Sequence, residues 1–73
     1  MSREAIESQL TSARERLAET ERVIAEQRLR VYKLQRDRKD DTAALRSLDK
    51  LFDLKVACQV EVERLKHELS RSS

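Results

Sequence analysis

Seventy-three residues allow at most one small domain, taken here as 1–73. The chain has no glycine, no proline and only two aromatics, Tyr32 and Phe52, while 41% of its residues are charged. Such a composition lacks the turn residues of sheets, barrels and phosphate-cradling loops, and it matches long helices or coiled coils. The 16 basic and 14 acidic residues leave a net charge of +2, well short of the excess that marks a dedicated nucleic-acid binder.

High charge and negative mean hydropathy point toward disorder. Ten leucines, five valines and two isoleucines at regular spacing point the other way, toward helices that gain stability by association. Cys58 is the single cysteine, so no intrachain disulfide framework exists and a reducing cytoplasm is the default setting. The N-terminal Met1-Ser2-Arg3-Glu4 leads into no apolar run, and no apolar stretch exceeds three residues. Neither a secretory signal nor a membrane span is expected.

The first element follows a stripe spaced alternately four and three residues apart: Ile6, Leu10, Ala13, Leu17, Thr20, Ile24, Gln27, Val31 and Leu34. That alternation keeps one face of a helix over 3–36 toward a partner. Thr20 and Gln27 interrupt it mid-seam, where polar groups weaken packing but can fix register or bond across an interface. Glu26 and Arg30 stand at the favourable i,i+4 spacing.

From 35 to 42 no apolar residue occurs. Arg36, Arg38 and Lys39 suit the negative end of a closing helix, and Asp40 and Asp41 suit the positive end of an opening one. Either aspartate is a candidate N-cap. With no glycine at the helix end, Lys39 or Asp40 is expected to take any left-handed conformation that the turn needs.

The second helix, over 41–70, carries Ala44, Leu48, Leu51, Lys55, Cys58, Val62, Leu65 and Leu69 on its stripe and Leu45, Phe52, Val56 and Val60 on a flanking row. A face this wide suits more than one neighbour. The terminal Ser70-Arg71-Ser72-Ser73 is polar and expected to fray, as are the first few residues. The pattern therefore predicts an all-α antiparallel hairpin that dimerises into a four-helix bundle, with Leu48, Leu51, Phe52, Val56, Cys58, Val62 and Leu65 at the dimer interface. The heptad phase also runs through the break, with five apolar residues in the ten positions from Arg38 to Leu69. One continuous helix in a long coiled coil is the alternative.

Candidate chemistry is sparse. His67 and Glu63 share a helical face, but a zinc site needs three or four ligands, so neither a metal nor a cofactor is expected. Cys58 falls on the seam, where free cysteine is ordinarily core. Asp40-Asp41 and Asp49/Asp53 are accounted for by capping and by a solvated helix surface. Arg28, Arg30, Lys33, Arg36, Arg38 and Lys39 form the densest charge feature, opposed between 28 and 39 only by Asp37. They are the candidate contacts for phosphate or an acidic partner, although Tyr32 alone makes no base-stacking platform.

Between Glu21 and Leu65, the residues Glu21-Arg22, Ile24-Ala25, Gln27, Leu34, Asp41-Thr42, Leu48 and Phe52 resemble a group of small helical-hairpin proteins of alphaproteobacteria, common in rhizobia. Its members carry a glycine two residues before the Asp-Thr pair, where this chain has Lys39. The resemblance implies a bacterial cytoplasmic protein with a turn before Asp41, and it implies no activity. The functional expectation is a non-enzymatic helical module, a homodimeric adaptor or regulator that binds a protein partner and no membrane. A small nucleic-acid-binding bundle acting through 28–39 and a structural coiled-coil spacer are the alternatives.

Overall fold

A computed structural model describes residues 2–72. Met1 and Ser73, the outermost of the residues expected to fray, lie outside them. Two helices account for the described chain: α1, Arg3–Arg36, and α2, Thr42–Arg71. They fold back on each other. Ile6, Leu10 and Ala13 near the start of α1 cluster with Val62 and Leu65 near the end of α2, and Leu17 and Leu69 flank them. The pair is therefore antiparallel and forms a rod 55 Å long and about 14 Å across. The continuous-helix alternative is overturned, because the chain reverses between Arg36 and Thr42.

The seam is the one written in the four–three pattern. Every α1 stripe residue from Ile6 to Leu34 is buried or half-buried, as is every α2 stripe residue from Ala44 to Leu69. Leu65 is fully buried. Truncating a buried leucine of this kind costs about 2–5 kcal/mol, a large share of the stability of so small a domain.

The two polar interruptions behave differently. Thr20, buried on the seam, returns its hydroxyl to its own helix by donating to the Arg16 carbonyl at 2.8 Å. This satisfies a hydroxyl that would otherwise be stranded. Gln27 reaches across, its Nε2 donating to the Ala44 carbonyl at 3.1 Å. That bond ties a fixed point of α1 to the first turn of α2 and so helps set the register.

At the start of α1, the Ser2 hydroxyl accepts from the Ala5 amide at 3.2 Å, an N-cap bond. At its end, Lys39 N donates to Leu34 O at 2.8 Å and Arg38 N to Gln35 O at 3.1 Å. This is the paired closure that normally has glycine in its left-handed position. Here that residue is Arg38, with φ of 55°, rather than Lys39 or Asp40. The hydrogen-bond pattern sets the position. The left-handed residue directly follows the C-cap, and with α1 ending at Arg36, as its 3–36 span anticipated, the C-cap is Asp37 and the next residue is Arg38.

The start of α2 also divides its roles. Asp41 occupies the N-cap position, but its side chain makes no cap bond. It accepts instead from Gln35 Nε2 at 2.8 Å. The Asp40 carboxylate accepts from Thr42 N at 3.0 Å and from Thr42 Oγ1 at 2.7 Å. Both aspartates thus brace the turn, one locally and one across it. At the far end α2 continues through Ser70 and Arg71. Ser72 closes it by donating its amide to Glu68 O and Leu69 O and its hydroxyl to Glu68 O.

Two predictions follow from the turn geometry. Arg38→Gly removes the Cβ penalty of a left-handed residue, about 1 kcal/mol. A melt followed by circular dichroism should rise by roughly 4–8 °C; an unchanged or lower midpoint would contradict the left-handed assignment. The hydrogen bonds from the Thr42 side chain and amide hold the Asp40 carboxyl below its ordinary value. Its contribution is therefore complete above about pH 4 and lost as pH falls through the lowered value. Asp40→Asn keeps an acceptor but cannot titrate, so its helicity should fall less steeply as the solution is acidified below about pH 4. Identical acid limbs for the two proteins would remove Asp40 from the account.

Candidate functional site

Three surfaces emerge from the hairpin: a basic turn end, an apolar row outside the seam and an open groove beside Cys58.

The turn end gathers the cationic residues singled out in the sequence. Arg28, Arg30, Lys33, Arg36, Arg38 and Lys39 are all exposed. The fold reverses immediately after them, so they stand at and around one end of the rod. Arg36 Nε lies 3.5 Å from Asp37. Among the described residues, Arg30, Lys33, Arg38 and Lys39 form no ion pair. The nearby acids are committed to turn bonds, Asp40 with Thr42 and Asp41 with Gln35. Glu26, spaced to meet Arg30, pairs instead with Arg22 at 2.7 Å. The reason is that Arg22 sits between two carboxylates on its own helix face and bridges Glu19 and Glu26 together. A matching set occurs on α2, where Arg64 bridges Glu61 at 2.7 Å and Glu68 at 2.6 Å. The arginine bonds hold the Glu19 and Glu61 carboxyls below their ordinary values. These groups are exposed or, for Glu61 and Glu68, half-buried at the surface, so each pair contributes little to stability.

Arg28 is a separate case. Its guanidinium lies over the Phe52 ring, 5.2 Å from the centroid, a cation–π contact that also shields one face of a half-buried aromatic. Phe52 belongs to the flanking row on α2. The rest of that row remains in solvent: Leu45 is 40%, Val56 57% and Val60 62% exposed. The predicted interface set therefore divides. Val62 and Leu65 are buried inside the hairpin against α1, and Leu48, Leu51 and Cys58 are half-buried on the same seam. Only Phe52 and Val56 of that set belong to the outer row. Sequence periodicity could not separate the two groups, because both flank one wide apolar arc and only the position of α1 decides which half it covers. The exposed Leu29 and Tyr32 on α1 fall outside the heptad stripe and carried no signal in the pattern.

The groove runs along the opposite flank. It has a volume of about 330 Å³ and is lined by Ala13, Arg16, Leu54, Ala57, Cys58 and Glu61. Its polar groups are a thiol, a guanidinium and a carboxylate. Arg64 lowers the proton affinity of that carboxylate by hydrogen bonding, which makes it a weak base for the thiol. Elsewhere on α2, Glu63 pairs with Lys66 at 3.3 Å, and His67 is exposed. Among the described residues, no three side chains of histidine, cysteine, aspartate or glutamate come together as metal ligands. No helix among them is long and apolar enough to cross a membrane.

Compared with known proteins, the chain matches no family model, no curated protein and no solved structure.

Proposed function

We propose that this chain is a non-enzymatic helical interaction module, a homodimeric adaptor or regulator that engages other proteins by helix-on-helix packing. The observation that supports this reading is the outer row of α2, where Leu45, Val56 and Val60 face solvent beside a half-buried Phe52. An exposed apolar row on a small, highly charged chain marks a surface that functions covered. The lone cysteine favours a reducing, cytoplasmic setting for such a module. Light scattering at roughly micromolar to millimolar concentration tests it, since that span covers the usual range of weak association. The unmodified chain should give a dimer mass. Val56→Asp combined with Val60→Asp should give a monomer of undiminished helicity, because changes at exposed positions alter hairpin stability by only about 0.5 kcal/mol. A monomer at every concentration before any substitution would overturn the reading.

A second reading rests on the turn end, where Arg30, Lys33, Arg38 and Lys39 are exposed and form no ion pair among the described residues. This geometry suits phosphate contact by a small nucleic-acid-binding bundle. Retardation of duplex DNA or RNA at about 50 mM salt that weakens steeply by about 200 mM would support it. Absence of retardation at the lower concentration would end it.

A further inference from the structure

The side of the hairpin that carries Phe52 bears exposed aromatic or apolar residues from both helices, Tyr32 on α1 and Leu45, Val56 and Val60 on α2. Because Arg28 lies over the Phe52 ring, the Arg28 flank of α1 and the Phe52 flank of α2 belong to the same broad side. Tyr32 follows Arg28 by one helical turn, and Val56 and Val60 follow Phe52 by one and two turns. Tyr32, Val56 and Val60 are 61%, 57% and 62% exposed, and Leu45, two turns before Phe52, is 40% exposed. On the reading that this chain is an interaction module, we infer that the occupant of this side is a second copy of the chain, lying antiparallel across it about a twofold axis near Phe52.

The arrangement of the apolar residues is self-complementary about that axis. Tyr32 and Leu45 lie toward the turn, and Val56 and Val60 lie toward the open end. A twofold near Phe52 places the first pair of one copy over the second pair of the other, the isologous contact that closes a dimer.

The charge distribution selects the antiparallel sense. Phe52 divides the rod into a turn half, residues 20–52, and an open half containing the remainder. The turn half holds nine basic and six acidic residues, and the open half holds seven basic and eight acidic. One half is therefore positive by three charges and the other negative by one. A parallel pair would set the two basic turn ends, with Arg30, Lys33, Arg38 and Lys39, which form no ion pair among the described residues, beside each other. An antiparallel pair sets each over the acidic half of its neighbour. Complementary halves fix register and orientation even where screened charges add little affinity.

Distance measurement between spin labels on the full chain tests the arrangement. The label is placed at Lys39→Cys, in the exposed turn, with Cys58→Ala removing the native thiol. Circular dichroism of the labelled chain verifies its helicity. At 1.5 Å per helical residue, an axis near Phe52, 13 residues from the label, separates the two labels of an antiparallel pair by roughly 40 Å. A separation under roughly 25 Å, as for two turn ends lying side by side, overturns the antiparallel arrangement while leaving self-association intact. Absence of intermolecular coupling at any concentration overturns the module reading on which the inference rests. Tyr32, the sole tyrosine, reports which side is used. Its fluorescence should become several-fold less accessible to acrylamide as the dimer forms. Unchanged quenching across that concentration range would place the contact on another side and overturn the inference.

Discussion

A two-helix hairpin has a single seam, and this constraint governs the rest of the molecule. Each helix can bury one stripe, so a residue lies on that stripe or meets solvent unless another chain covers it. The stripe is used fully. Leu65 closes against Ile6, Leu10 and Ala13 at the open end, and Ile24, Val31 and Ala44 are buried nearer the turn. Gln27 bonds to the Ala44 carbonyl within the region nearer the turn, so the register rests on a directional contact as well as on apolar packing.

The turn must deliver α2 to that seam without glycine or proline. It does so by placing a non-glycine residue, Arg38, in the left-handed position and by using Asp40, Asp41, Gln35 and Thr42 as braces. These bonds offset part of the conformational cost of Arg38. They also occupy the nearby acids, and for that reason the turn end keeps a concentrated positive charge although the chain as a whole is close to neutral. Structure and electrostatics are linked at this point: the residues that close the hairpin also polarise it along its length.

One seam also means an incomplete core. The second helix has apolar residues around a wider arc than α1 can cover, and Arg28 shields only the ring of Phe52. Leu45, Val56 and Val60 remain on the surface. A hairpin of this size buries little area on its own. The uncovered row and the charge asymmetry favour association, and they are the basis of both the functional reading and the dimer geometry inferred from it.

The sequence by itself determined the two helices and the identity of the seam. Spacing of four and three fixes which residues share a helical face, and the apolar gap from 35 to 42 marks an interruption. It also marked Gln27 as a position able to bond across an interface. The capping charges beside the gap and the wide second face favoured a hairpin, which the structure has, but the heptad phase continues through the gap and left a continuous helix as the alternative, because a pattern of azimuths is the same for a straight helix and a folded one. Only the tertiary structure decided that the chain turns back, that Arg38 takes the left-handed conformation, and that Glu26 serves Arg22 rather than Arg30. It alone separated Val62 and Leu65, buried by α1, from Val56 and Val60, left outside. Periodicity sets the direction in which a side chain points from its own helix axis, whereas burial and pairing depend on where the other helix lies.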